Sequence, residues 1–372
     1  MSNFLKCFTL ITMVLMLLFY SCKTDNRNFQ GIHGMWFRPP TDSVELVQSL
    51  ENMKKLGINT VFIETFYHSW TIYSGENSIQ RPEFSGWDPL MMTLKYAHEN
   101  NMEVHAWIEV FYAFNPDYLD GTMGPVLTQY PDWLLESGDP DDPFAEEGKV
   151  FFNPAHPELN DYLISMMKEL VGKYPVDGVH LDYIRYPIHS NDKQFGFDAV
   201  SKELFYKETG LELSPESIRD DVIFKRFAEW KKNNVTRFVK RTAEELKRIN
   251  QDIQISAAIF PSYRNDPESL LKFQDWATWV QGDMLDFITP MCYGYTGNSR
   301  REEIRESLEL SRVPVVIGLA INRVKNSRDV EKLIEDGFTD GSAGIAWFAY
   351  NWQTPVFVKT ITHYFKQESY GQ

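Results

Sequence analysis

Short apolar runs alternate along this chain with longer stretches in which apolar residues recur every three or four positions. Eight of the runs read as strands: residues 32–37, 60–65, 103–110, 178–183, 253–259, 286–292, 313–320 and 344–350. Their centres are nearly continuous in apolar residues rather than alternating, as expected of parallel strands buried on both faces. The intervening stretches read as helices. Residues 43–56 set Val44, Val47, Leu50, Met53 and Leu56 on one stripe and stop at Gly57, the pattern of an amphipathic helix ended by glycine. Asp88 before Pro89 is an N-cap with proline in the first turn, opening a helix through His98. Helices follow over 157–173 and 221–249, the second with Trp230, Phe238 and Leu246 on one side and charged residues on the other. A last one covers 354–365. Strand and helix alternating eight times predict an α/β fold, a (β/α)8 barrel in a single domain. A chain of 372 residues suits one such barrel with long loops.

Two connections are unusually long, 111–156 after strand three and 187–220 after strand four. In this fold they stand at the C-terminal face, where such barrels do chemistry, and long loops are commonly functional. The first holds Asp139-Pro140-Asp141-Asp142-Pro143, which lacks calcium-loop spacing and reads as a solvated loop. There is no glycine-rich phosphate loop, zinc spacing or serine nucleophile elbow, so neither metal nor cofactor is expected.

The N-terminus changes the expected location. Lys6 precedes an apolar run from Phe8 to Phe19, which ends in Tyr20-Ser21-Cys22. The run has signal-peptide length and is shorter than the ~20 residues of a membrane span. Residues 1–21 are therefore expected to be a lipoprotein signal and Cys22 the lipidated residue. Residues 22–30 would be a tether and 31–368 the barrel, on an exported, membrane-anchored protein facing the periplasm or the cell surface. Of three cysteines, Cys7 would be lost and Cys22 acylated, leaving Cys292 with no intramolecular disulfide partner. The net charge of −15 and the lack of a basic stripe argue against nucleic acid. Aromatics at 15% leave a sugar-binding cleft open, since sugar rings have apolar faces that stack on flat side chains.

Strand four ends in Asp182, then Arg185 and Pro187, which places Asp182 at the rim of the active face. Strand three ends near Glu109, flanked by Trp107, Ile108 and Phe111. Partial desolvation raises a carboxyl pKa and suits it to general acid work. Glycoside hydrolysis needs two carboxyls across the scissile bond, and neighbouring strands can present Asp182 and Glu109 to one sugar. Glu64, at the end of strand two, is a third candidate, as a substrate contact. Arg185, Trp36, Trp107, Tyr183, Tyr293, Tyr295, Trp347 and Tyr350 are the expected substrate-binding residues, because they cluster at the same strand ends. The plain alternatives are that Asp182 caps a turn, and that Asp182 or Glu109 simply pairs with Arg185. His180 is expected to point away from Asp182 as a packing residue. His189 and Asp192, in the connection after strand four, are weaker candidates for substrate contact.

These segments together resemble the family-ten glycosyl-hydrolase-like proteins, formerly domain of unknown function 187. The resemblance covers about residues 30–365. It rests on Gly34-Met35-Trp36, Trp107-Ile108-Glu109, Phe152-Asn153-Pro154-Ala155-His156-Pro157, Asp177-Gly178-Val179-His180-Leu181-Asp182-Tyr183, Gln274-Asp275-Trp276-Ala277-Thr278-Trp279, and Asp286-Phe287-Ile288-Thr289-Pro290-Met291-Cys292-Tyr293. The sequence departs from many relatives at Tyr183-Ile184-Arg185, where they carry a second acidic residue. The resemblance implies an exported barrel that hydrolyses a cell-envelope glycan of the peptidoglycan type, with Asp182 and Glu109 in the matching positions. A dietary or host polysaccharide substrate and a non-catalytic carbohydrate-binding barrel are the alternatives.

Overall fold

A computed structural model describes residues 31–116, 123–188, 193–264, 272–294 and 297–368. The expected leader, tether and Cys22 lie outside the described residues, as do His189, Asp192 and Tyr295.

Eight parallel strands build the fold: β1 (Ile32–Phe37), β2 (Thr60–Tyr67), β3 (Glu103–Glu109), β4 (Gly178–Asp182), β5 (Gln254–Ile259), β6 (Phe287–Pro290), β7 (Val316–Ala320) and β8 (Gly344–Phe348). They pair in the order β7-β8-β1-β2-β3-β4-β5-β6. Single parallel bridges, Ile288 with Val315 and Met291 with Gly318, join β6 to β7 and bring the ring close to closure. This is the expected (β/α)8 barrel.

Each strand buries both faces for different reasons. Met35, Phe37, Val61, Ile63, Val104, Ile108, Leu181, Ile317 and Trp347 point outward into one apolar layer shared with the helices. Trp36, Phe62, His105, His180 and Phe287 point inward and touch one another across the barrel axis. The inward positions of β3, β4 and β5 include His105, Glu109, His180, Asp182 and Ser256, all buried between apolar outward neighbours, so burial on both faces hides a partial alternation.

The helices form where the caps predict them. Asp42 accepts from the amides of Val44 and Glu45 at 2.9 Å and starts Ser43–Lys55. Asp88 accepts from Met91 at 2.9 Å and starts Pro89–Glu99. Pro157–Lys173 and Asp221–Ile249 lie where the periodicity puts them, and Pro355–Glu368 closes the ring.

The two long connections differ from plain loops. The first carries an antiparallel pair, Tyr112–Phe114 with Val150–Phe151, and a helix, Gly124–Gln129. The second carries the helix Ala199–Thr209, capped by Asp198 and ended by left-handed Gly210. That helix buries only Ser201 and Phe205, so it has no apolar stripe for a periodicity reading to detect.

Candidate active site

Strand pairing decides which acids meet. β3 and β4 pair in parallel with Trp107 beside His180 and Glu109 beside Asp182. Both carboxylates therefore stand at the same height, at the C-terminal ends of strands about 4.8 Å apart. β2 lies on the other side of β3, with Glu64 beside Trp107, one step lower than Glu109. The register slips between Glu64 and Phe66, a bulge of the kind that re-aims side chains next to active sites. Arg38 follows Phe37 and has the inward phase of Trp36.

Asp182 is held by two donors. Trp107 Nε1 donates to Oδ2 at 3.0 Å, and the Tyr183 amide donates to Oδ1 at 2.7 Å. Tyr183 adopts a left-handed φ of 47° as the chain turns out of β4. Arg38 bridges the other two acids: its Nε donates to Glu64 Oε1 at 2.7 Å and its Nη2 reaches Glu109 Oε1 at 3.4 Å. Its guanidinium also lies 4.9 Å above the Tyr67 ring and 5.5 Å from that of Trp107. Glu109 Oε2 is buried with no hydrogen-bond partner.

Burial pushes all three carboxyls upward, to different degrees. Glu109 rises well above the ordinary range, driven by desolvation and then by the Glu64 and Asp182 charges, against Arg38. Burial also raises Asp182, but the Tyr183 amide, Arg185, Trp107 and Arg38 all favour its charged form. Burial raises Glu64, opposed chiefly by its ion pair with Arg38. Glu109 is therefore lifted furthest, while the donors around Asp182 hold its rise in check; two carboxyls whose environments separate them in this way are what acid and base chemistry uses.

A cleft of about 150 Å³ lies over the two strand ends. Trp36, Trp107, Tyr183, Phe260, Tyr293 and Phe348 wall it, and Arg38, Arg185, Glu109 and Asp182 supply its polar lining. Arg185 is stacked 4.9 Å from Tyr183 and 5.3 Å from Phe260 and Phe151. Its ion-pair partner is Glu146 at 2.7 Å, from the connection after β3. Glu146 also accepts from the Ile188 amide at 3.0 Å, and so ties the two long connections together. Neither Asp182 nor Glu109 is paired with Arg185. Among the described residues, no group of three or more His, Cys, Asp or Glu is arranged to hold a metal ion.

Trp36, Trp107, Tyr183, Tyr293 and Arg185 thus line the cleft with Asp182 and Glu109. Glu64 lies beneath it, 5% exposed, where it holds Arg38. Two expected contacts lie elsewhere. Trp347 faces the helix layer, where its Nε1 donates to His33 Nε2 at 2.7 Å and its ring meets Phe357. Tyr350 packs edge-on against Phe37, also on the outer side. His180 corrects the expectation in the opposite sense. It shares the inward face with Asp182, two residues on, and its Nδ1 lies 2.8 Å from Ser256 Oγ inside the barrel. Its packing role stands; its direction does not. Arg38, Phe260 and Phe348 line the cleft without having been singled out in the sequence, although Arg38 and Phe348 carry the inward phase of Trp36 and Ala346.

A family model described as Glycosyl hydrolase-like 10 matches residues 12–334. Glycosyl hydrolase DigH of Escherichia coli K12 is 22% identical over 83% of this chain and 77% of its own length. Glycosyl hydrolase YngK of Bacillus subtilis is 24% identical over 77% of this chain and 57% of its own. Among solved structures, the PgaB (BpsB) glycoside hydrolase domain from Bordetella bronchiseptica matches with a TM-score of 0.68 at 13% identity, covering 89% of this chain and 98% of that one. The catalytic domain of the Paenibacillus polymyxa beta-amylase matches with a TM-score of 0.62 at 12% identity, over 91% and 99%. At such identities the structural likeness establishes the barrel fold alone.

Proposed function

The chain belongs to the glycosyl hydrolase-like 10 family, and from that premise we propose that it hydrolyses the glycosidic bonds of a cell-envelope glycan, the amino-sugar strands of peptidoglycan. The supporting observation is the register pair of Glu109 and Asp182 beneath an aromatic-walled cleft. Glu109 is the proton donor: burial raises its carboxyl pKa, which favours the protonated form, and a protonated Oε2 supplies the hydrogen that the departing glycosidic oxygen takes up. Asp182 is the anion. Fixed by Trp107 and the Tyr183 amide, it faces the positive charge that develops at the sugar carbon and acts on it as nucleophile or through water. Arg38 and Glu64 set the charge around Glu109, and the aromatic walls stack the sugar rings.

Export follows from the leader. In this reading residues 1–21 are removed and Cys22 is acylated, so that the barrel works tethered to a membrane. Radiolabelled palmitate entering the wild type but not Cys22→Ser would support that anchor. Equal labelling of both would remove it.

The activity is tested with purified barrel and peptide-free glycan strands. New reducing ends that vanish in Asp182→Asn and Glu109→Gln are expected. Cleavage of plant or host polysaccharides with these strands left intact would shift the substrate, and binding without any sugar release would end the hydrolase reading.

A further inference from the structure

A second cavity adjoins the cleft and differs from it in charge. It lies where the chain leaves β6 and β7, encloses about 320 Å³, and shares Tyr293 with the catalytic cleft. Four cationic side chains line it, Arg300, Arg323, Lys325 and Lys332, against a single carboxylate, Asp329. In a chain of net charge −15, that local excess runs against the average. Asp329 offsets one of these charges and forms no ion pair with any of them. Its side chain is engaged in capping the helix Ser327–Gly337, where Oδ2 accepts from the amides of Lys325 at 2.8 Å and Asn326 at 3.3 Å.

The four cations divide into two kinds. Arg300 is held by Asp336, Nε to Oδ2 at 2.8 Å, and Arg323 ties the loops together by donating from Nη1 to the Tyr293 carbonyl at 3.2 Å. Lys325 and Lys332 have no ion-pair partner among the described residues. Room is made for the second: a Cβ on Gly297 would fall 2.5 Å from Lys332 Nζ, so glycine there lets the ammonium approach the start of the helix Gly297–Leu310. Two free ammonium groups in a cavity of ligand size, next to the cleft, are arranged for an anion.

We infer that this cavity is a subsite for the carboxylate of an acidic sugar in the same glycan whose bond is held at Glu109 and Asp182, with Lys325 and Lys332 as its partners. The cations stand on the C-terminal face beside the cleft rather than at its base. An anionic substituent on a neighbouring sugar therefore reaches them without entering the catalytic pair. The inference rests on the hydrolase reading and sharpens it: carboxylate-bearing strands are preferred over neutral ones.

Calorimetry on Asp182→Asn protein tests it without turnover. The probes are peptide-free glycan strands and the same strands with their carboxyls reduced to alcohols. The carboxylated form is expected to bind roughly ten- to a hundredfold more tightly, the range that charged hydrogen bonds supply. Adding Lys325→Gln and Lys332→Gln should bring that ratio to within about twofold of unity. Lys325→Gln alone, at an exposed position, should lower it severalfold and guards against misfolding of the double variant. Equal binding of the two strands, no binding of either, or a ratio that survives the lysine changes would overturn the inference. So would inorganic phosphate that displaces the strand as well as a free acidic sugar does. Reducing-end release with equal binding would remove this subsite and leave the hydrolase reading intact. A carboxylate preference without release would do the reverse.

Discussion

Glu109→Gln separates the two things a buried acid does, because it should abolish turnover and stabilise the fold at the same time. Burial raises the Glu109 carboxyl well above its ordinary value, while in the unfolded chain it titrates near ~4.3. A carboxyl whose folded pKa is raised favours folding when protonated. Its contribution is complete below about pH 4 and is lost as pH climbs through the folded-state pKa. Above that point the native barrel must hold an ionised carboxylate with one oxygen unpartnered, which costs roughly 1–3 kcal/mol or more. Glutamine keeps the shape and removes the charge, and Arg38 keeps its ion pair with Glu64. Unfolding entropy of about 2.1 cal/mol/K per residue, over the roughly 320 described residues, comes to about 0.7 kcal/mol/K, so each kcal/mol moves Tm by about 1.5 °C. Differential scanning calorimetry at pH 8.5 should therefore show Glu109→Gln melting roughly 1.5–4.5 °C above the wild type, with the gain gone near pH 4. Reducing-end release should fall about 10²–10⁴-fold. An unchanged or lower Tm at pH 8.5, or the same gain at both pH values, would show that Glu109 does not carry the raised pKa on which its role as acid depends.

Four further outcomes follow from the same geometry. Trp107→Phe removes the 3.0 Å donor to Asp182 Oδ2, one of the groups that favour its charged form. The acid limb of the kcat/KM profile should shift to higher pH, with activity down about 5–30-fold if the bond is worth roughly 1–2 kcal/mol; an unmoved limb would refute the assignment of Asp182 as the anion. Asp182→Asn should lower kcat about 10²–10⁴-fold while strand binding by calorimetry stays within a few-fold. Arg38→Met leaves Glu64, 5% exposed, as a buried carboxylate without its 2.7 Å partner, so denaturant unfolding at pH 8 should show a loss of about 3–5 kcal/mol that shrinks as pH falls towards 4. Trp347→Leu should cost a few kcal/mol through the cavity it leaves in the helix layer yet leave KM for glycan strands unchanged, whereas a large rise in KM would return Trp347 to the cleft.

The barrel was legible because its evidence is additive along the chain: eight apolar runs, the caps at Asp42 and Asp88, and the stripe of Asp221–Ile249 all point to one topology. The direction of side chains was not, and the errors share one cause. An antiparallel strand with a wet face announces its phase by alternation, but the strands of this barrel are buried on both faces and β8 is apolar or small throughout, so composition gives Trp347 and Phe348 equal claim to the cleft. The two acids supply the missing phase. Once Glu109 and Asp182 are taken as inward, period two carries the assignment through Trp107 and His105 on β3 and through His180 on β4. Strand pairing then extends it to Trp36 and Arg38 on β1 and to Ala346 and Phe348 on β8. Period two alone would have turned His180 inward from the sequence; turning Trp347 outward needs the strand pairing as well. The assignment fails at one place, between Glu64 and Phe66, where the bulge shifts the register of β2 against β3. That bulge lets β2 give Glu64 to the interior and still bring Tyr67 up against Arg38. No local propensity marks it, because what it serves is non-local: the guanidinium beyond the end of neighbouring β1 that two buried carboxylates share.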